Sequence, residues 1–498
     1  MCWLTDASLY EPSASDEPVK ANITQEVLDA MLDHDKAEET MDILGWCHVF
    51  TVPEEWKRRF RIIEACHGVN DNTELEQRTA FTSIFERHAA VLNGRWVLDL
   101  DASAYYDQFP LAEEVRRYFG FLKNGRRYRM RVLPMGVKHA VWIAQTATRQ
   151  LLNFDIPSTV YTEAYIDNVR FVSDSKEDLL HAAAMFCVRA GRVGVTLNEV
   201  KVSDFMKPFE DQSADPMTAA LDLAKKELEG LAVSRAPWLG EDFDYDAKTV
   251  QMSEKSRQKL EATRDLGPSR SFKQVISMFS MLLYVSRTYN HKLADYFQAK
   301  LAHSELSRFL AERPELWDEE CPEFCDSTEK SIALWRENLL KLPPRLITET
   351  LEPEALIVVD ACGKGWGAFY VSSTHQFTVQ MTWTEADLLY LGSTGGTVTE
   401  PEALHRALCR LVPPNVRARV KIVTDSSTAQ HAFPKGHSPS FKVNGIVNRF
   451  NKRFPEVELE TCHVHGSLMP SDGMSRGEEP TASDWRKVLQ MAASEGII

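Results

Sequence analysis

Two short apolar runs, Trp96–Leu100 and Ala164–Val172, each bring an aspartate to the point where a strand must end or turn, and they constrain the fold more than any other feature. The first continues through Asp101 into Tyr105-Tyr106-Asp107-Gln108-Phe109-Pro110. The second reads as a hairpin with Asp167, followed by Asn168, at its tip. A lone aspartate at a strand end is usually a solvated turn former, so the weight falls on the pair. Two carboxylates raised on adjacent strands suit two Mg²⁺ (or Mn²⁺) ions about 3.5–4 Å apart, which stabilise the attacking and leaving oxygens of a phosphoryl transfer. Such ions take oxygen ligands and keep waters that substrate phosphates can replace.

Hydrophobic periodicity supplies the frame around that pair. Strands are expected at 61–63, 96–100, 128–133 and 164–172, and helices at 23–32, 73–92, 111–119, 140–152 and 176–190. Interleaving of this kind predicts a sheet with helices packed on it. Residues 204–234 read as a polar, helix-prone insertion, and 237–252 as a hairpin turning at Asp244-Tyr245-Asp246. From Ser253 the pattern is helical until Pro343-Pro344, where prolines end it. Beyond lie strand, turn and strand (356–360, 365–372), a helix at 401–411, a strand at 420–424, then a helix and a strand. The expected organisation is an acidic segment 1–55, a domain 56–252 containing the insertion, a helical region 253–345, a second sheet domain 354–480 and a tail 481–498.

Charge alone does not choose a partner. The 498 residues carry a net −15, which on its face argues against phosphate binding. Residues 1–55 hold thirteen acids against Lys20 and Lys36, a net of −11, which leaves −4 for the other 443 residues. Basic clusters at Lys57-Arg58-Arg59 with Arg61, and at Arg126-Arg127-Tyr128-Arg129 with Arg131, could meet template phosphates. Nine cysteines without regular spacing point to a reducing compartment rather than a disulfide framework. The opening MCWLTDASLY lacks the basic n-region of a secretory signal, and the best apolar run, 278–285, is too short to span a bilayer. The expectation is an intracellular protein, cytoplasmic or nuclear, with no membrane partner.

Several short motifs then carry a resemblance. Asp101, Tyr106, Gln108 and Pro110 fit D-x-x-x-x-[FY]-x-Q-x-P. Leu133-Pro134-Met135-Gly136 runs on to Gln145 as L-P-x-G-x-x-x-A-P-x-x-x-Q, with Val141 in place of the second proline. Tyr165-Ile166-Asp167-Asn168 is similar to a Y-x-D-D box whose last position is an amide, and Gly194-Val195-Thr196-Leu197-Asn198 with Lys201 to G-[LV]-x-L-N-x-x-K. Trp238-Leu239-Gly240 is similar to F-L-G, and Arg61 to Asn70 has the spacing R-x₈-N. Taken in their order along the chain, over about 180 residues, they resemble a retroelement reverse transcriptase. The resemblance implies that Asp101, Asp167 and Asn168 ligate metal, with Asp101 chosen over Asp99 by counting back from Gln108 and Pro110. It implies that Arg61 touches the triphosphate and Tyr106 excludes a ribose 2′-hydroxyl. Gln108, Met135, Gly136 and Gln145 would line the nucleotide and template site, Lys201 would assist pyrophosphate departure, and Trp238 and Gly240 would grip the primer.

A second constellation follows the prolines. Leu356–Val359 leads to Asp360, then come Glu400, Asp425 after Ile422–Thr424, and His463-Val464-His465 ahead of Asp472. This order resembles retroelement ribonuclease H, whose four carboxylates hold two metals and activate water against an RNA phosphodiester. It implies metal ligation by Asp360, Glu400, Asp425 and Asp472, with His463 or its rival His465 helping product leave. Glu402 competes with Glu400, since Thr399 and Glu402 have capping-box spacing around Pro401. Trp366 reads as a core aromatic.

The fold expected is α/β with an α+β palm: right-hand fingers and palm, a helical thumb or connection, then a mixed-sheet domain like ribonuclease H. The activity implied is RNA-directed DNA synthesis with RNA cleavage, two Mg²⁺ or Mn²⁺ per site. RNA template, DNA primer, dNTPs and RNA–DNA hybrid would be the partners, along with other retroelement proteins. The element would be gypsy- or DIRS-like, with a VIPER-type flavour at Ser471–Arg476. The alternative is a decayed or domesticated copy kept as a non-catalytic nucleic-acid-binding scaffold.

Overall fold

The computed structural model describes residues 18–54, 59–71, 79–265, 269–392, 396–414 and 416–498. The mixed α/β architecture expected from the sequence is present. Lys57, Arg58 and the first part of the helix expected at 73–92 lie outside the described residues. The chain divides into two units: Met1–Ala236 with Phe243–Lys248, and Pro237–Asp242 with Thr249–Ile498.

In the first unit, β1 (Trp96–Asp101), β2 (Val160–Tyr165) and β3 (Asn168–Ser173) form an antiparallel sheet in the order β1-β3-β2. Register pairs Asp101 with Asn168 and Asp99 with Arg170, while Tyr165 opposite Asn168 closes a two-residue turn. Ile166 takes φ +59° there, a left-handed conformation usual in tight hairpins. Helix α1 (Ala140–Leu151) and α2 (Lys176–Arg192) bury apolar faces in the same core, α2 through Leu179, Ala183, Phe186 and Cys187. Ser175 caps α2 by accepting the Asp178 amide N–H. A separate hairpin pairs His48–Glu54 with Arg59–Ala65.

Expected helix bounds need correction here: of 111–119 only Glu113–Arg116 is helical. Within the described part of the helix expected at 73–92, residues 79–83 are not helical and a helix starts at Ile84, where Ser83 and Glu86 make a reciprocal capping box. The helix-prone stretch 204–234 contains helix Pro216–Leu228, whose Ala220, Ala224 and Leu228 are fully buried in the main core.

The second unit contains α3 (Phe272–Thr288), α4 (Phe297–Glu312) and α5 (Asp326–Lys341) around Trp335, which stacks on Tyr296. It also contains β4 (Ala355–Ala361), β5 (Gly365–Ser372), β6 (Gln376–Thr382), β7 (Ala418–Thr424) and β8 (Val457–His463). Their order is β6-β5-β4-β7-β8, antiparallel from β6 to β4 and parallel from β4 to β8. Alternate residues face opposite ways along a strand. Ile357 and Val359 therefore join one apolar cluster with Trp366, and Leu356 and Val358 another with Phe369. Helices α6 (Gly396–Leu411), α7 (Ser427–Lys435) and α8 (Phe441–Arg453) cover the first face. The second is covered by α9 (Asp472–Ser475) and α10 (Ala482–Ser494). Burial on both faces explains the unbroken apolar run 356–359. No helix of the described residues is long and apolar enough to cross a membrane.

Candidate active sites

The β1–β3 register brings Asp101 beside the β2–β3 turn that carries Asp167. The Ala102 amide donates to the Asp167 carbonyl at 2.8 Å, which ties the two segments together at the carboxylates. Each carboxylate accepts from an asparagine: Asn198 Nδ2 to Asp101 Oδ2 at 2.9 Å, and Asn168 Nδ2 to Asp167 Oδ1 at 2.8 Å. Asp101 and Asp167 are half-buried. Asp99, the rival within β1, is held by Arg170, whose Nε and Nη2 donate to it at 2.7 and 2.6 Å; Arg170 itself is fully buried.

The turn around Asp167 is held from behind by α1. Gln145 is buried; it donates to the Ala164 carbonyl at 2.9 Å and accepts the Ile166 amide at 2.6 Å. Thr148 donates to the Ile166 carbonyl at 2.5 Å. Gln108 likewise binds the Ser103 and Thr196 carbonyls and accepts the Thr196 amide at 2.9 Å. Both glutamines thus spend their amides on backbone. Tyr106 is half-buried, and burial, with the Asp167 charge adding to it, pushes its phenol up to about 12, so it stays neutral.

The L-P-x-G turn has its own fastening. Asn70 donates to the Gly136 carbonyl and accepts the Lys138 amide, both at 2.8 Å. A Cβ at Gly136 would overlap the Glu64 carbonyl oxygen, so only glycine fits. Met135 beside it is half-exposed, and its amide donates to the Glu64 carboxylate at 3.3 Å. Burial, with the nearby Asp107 charge, pushes that carboxyl up to about 7. Arg61, on the second strand of the hairpin, and Lys201 are exposed.

In the second unit Asp360, Glu400 and Asp425 offer oxygens that all lie within 4.8 Å of one another. Asp360 ends the apolar part of β4, Asp425 follows β7 directly, and Glu400 reaches across from α6. Asp360 and Glu400 are buried, and Glu400 Oε1 accepts the Ala361 amide at 3.0 Å. Its Oε2 is buried with no hydrogen-bond partner among the described residues. Burial, with the neighbouring carboxylates adding to it, pushes Glu400 up to about 9 and Asp360 to about 6. Three oxygen donors around an orphaned buried oxygen form a donor set that suits a hard divalent cation. Asp472, at the start of α9, is more exposed and pairs with Arg476 at 2.8 Å. His463 bonds the Asp425 carbonyl through Nε2 at 2.8 Å, whereas His465 bonds Ser467.

Glu402 has a different environment. It is buried between Arg406 Nε at 2.9 Å and Arg449 Nη2 at 2.5 Å. The capping box expected of Thr399 and Glu402 does not form, because α6 is already helical at Gly396 and carries Pro401 inside it.

Residues 57–240 match the family described as reverse transcriptase (RNA-dependent DNA polymerase). The chain contains a reverse transcriptase domain. No curated protein sequence matches the chain. Three solved structures of foamy viral protease-reverse transcriptase are similar to it. One, titled dRH and in complex with dsDNA, is 13% identical, with 92% of this chain and 73% of that chain covered and a TM-score of 0.46. A second complex with dsDNA is 14% identical, covers 92% and 87%, and has a TM-score of 0.45. A complex with RNA/DNA hybrid is 13% identical, covers 95% and 58%, and has the same TM-score.

The reverse transcriptase match ends at Gly240, and the turn there belongs to the second unit. Leu239 and Gly240 both have positive φ, which glycine accommodates readily. The Gly240 carbonyl accepts from the Ser253 amide at 2.9 Å and Ser256 Oγ at 2.7 Å, and Tyr284 donates to the Leu239 carbonyl. Trp238 is buried, and Leu239 and Gly240 are half-exposed. The residue that sequence reasoning left out of the reverse transcriptase site is Asn198. It stands inside the G-[LV]-x-L-N-x-x-K stretch, but spacing says nothing of its contact with Asp101, 97 positions earlier.

Proposed function

We propose that the chain is the RNA-directed DNA polymerase of a gypsy- or DIRS-like retroelement, and that its second unit cleaves the RNA strand of RNA–DNA hybrids as ribonuclease H does. The observation that carries the polymerase is the register of β1 and β3, which sets Asp101 beside the Asp167 turn within the reverse transcriptase domain. The convergence of Asp360, Glu400 and Asp425 carries the nuclease.

Asp101 and Asp167 would hold the divalent ions, Mg²⁺ or Mn²⁺, which when bound lower the charge barrier to attack of a primer 3′-hydroxyl on the α-phosphate. Arg61, exposed on its hairpin, would meet the triphosphate and stabilise charge as pyrophosphate leaves. Tyr106, neutral, half-buried and under the influence of the Asp167 charge, would be the ring that excludes a ribose 2′-hydroxyl. Gln145 and Gln108 act here by fixing the backbone around the two aspartates. In the second unit Asp360, Glu400, Asp425 and the more exposed Asp472 would ligate the ions, and His463, whose bond to the Asp425 carbonyl ties it to the cluster, would assist product release.

A DNA primer annealed to end-labelled RNA, incubated with dNTPs and Mg²⁺ or Mn²⁺, tests both activities in one tube. The expected result is primer extension accompanied by shortening of the RNA. Tight binding of the duplex without either product would instead favour a scaffold.

A further inference from the structure

We infer that Asn198 is a positioning residue for Asp101, a role that rests on the polymerase reading above. The segment 196–199 lies alongside residues 101–103 as an added strand edge. Ala102 bridges Leu197 in antiparallel sense, and the Ser103 amide donates to the Thr196 carbonyl at 3.0 Å. Within that edge, Asp101 is gripped at three points by two consecutive residues. The Asn198 amide N–H donates to the Asp101 carbonyl at 2.8 Å, and Asn198 Nδ2 donates to Asp101 Oδ2 at 2.9 Å. The Asp101 amide N–H in turn donates to Glu199 Oε2 at 2.9 Å.

The chemistry of the grip favours a carboxylate ready for a cation. A neutral amide donor fixes one oxygen without bringing a positive charge that would compete with the metal. A lysine or arginine there would neutralise Asp101, and a carboxylate would repel it. Backbone anchorage on both sides of Asp101 also restricts the strand from which its side chain projects, so its rotamer is set before any ion arrives. Ligands held in this way bind metal more tightly because less order is lost on binding, and removal of such a partner typically lowers affinity or activity by about 10–100-fold. Gln108, which joins Ser103 to Thr196, holds the same edge one step further on.

The test uses the full chain. Asn198→Ala is compared with the parent for Mn²⁺ binding by calorimetry, both in an Asp425→Ala background that disables the second acidic cluster. Primer extension is followed in parallel. The variant is expected to bind Mn²⁺ about 10–100-fold more weakly. The kcat should fall correspondingly at limiting metal and recover as Mn²⁺ is raised. KM for dNTP and the Kd for primer–template should move less than about threefold, and RNA cleavage in the Asp425-intact protein should be unchanged, reporting a folded chain. Unchanged Mn²⁺ affinity and kcat in Asn198→Ala, with Asp101→Ala inactive, would overturn the role of Asn198 and leave the polymerase reading standing. If Asp101→Ala retains synthesis, the polymerase assignment itself fails, and this inference with it.

Discussion

The two acidic centres are ordered by opposite physical routes. In the first unit Asp101 and Asp167 are half-buried, and each carboxylate is held by a neutral amide, from Asn198 and Asn168. Their order comes from hydrogen bonds. In the second unit Asp360, Glu400 and Asp425 are crowded within 4.8 Å, and Glu400 is left with a buried oxygen that no described group satisfies. Their order comes from packing, at an electrostatic cost that only protons or a cation can relieve. A site of the first kind is arranged in advance; a site of the second kind is completed by what it binds.

The sharpest break of this comparison is separation of the activities. Asp101→Ala should lower DNA synthesis by more than about a thousandfold and spare RNA cleavage, and Asp425→Ala should do the reverse. Loss of both activities from one folded single variant would mean that the two centres do not work independently.

Next in size is the scaffold beneath the first centre. Arg170→Met leaves Asp99 without its partner and should destabilise the protein by about 3 kcal/mol, the lower end for breaking a buried pair because Asp99 keeps some exposure. Urea unfolding measures it, and a cost below about 1 kcal/mol would refute the view that this pair supports β1 and β3.

The second centre separates its neighbouring glutamates. Glu400→Gln should lower RNA cleavage at least about 100-fold, while Glu402→Gln should cost about 1–2 kcal/mol through Arg406 and Arg449 and leave cleavage within about threefold. The opposite pattern would transfer the catalytic assignment to Glu402.

The smallest effect concerns pH. The folded pKa values of Glu400 and Asp360 lie above their unfolded ones, so the metal-free protein holds protons that the unfolded chain releases. Stability contributed by those protons is therefore lost as pH rises from about 4 through 6 and towards 9. Melting in EDTA should drop by a few degrees between pH 5 and 9, and Mg²⁺ should restore most at the alkaline end, where it displaces fewer protons. A midpoint that rises over this range, with no response to Mg²⁺, would remove the electrostatic account of the cluster.

Much of this arrangement is legible in the chain. The strands that carry Asp101, Asp167, Asp360 and Asp425 are where apolar runs place them, because a buried strand must be apolar until it meets the site. Trp366 is the core residue its context implies. Edge strand β6 escaped notice because Gln376–Thr382 is half-exposed and shows no apolar face worth burying. The late start of the helix at Ile84 is a capping choice between several serines and threonines, which local propensity ranks almost equally.

By itself, then, the sequence determined the order of motifs, the apolar strands and the residue types available for metal chemistry, since these depend on near neighbours and on periodicity. Only the tertiary structure decided that Asp99 belongs to Arg170, that Glu402 belongs to Arg406 and Arg449, and that Asn198 grips Asp101. Those pairings join residues up to about a hundred positions apart, and what each carboxylate does is governed by desolvation and by the donors that folding brings to it.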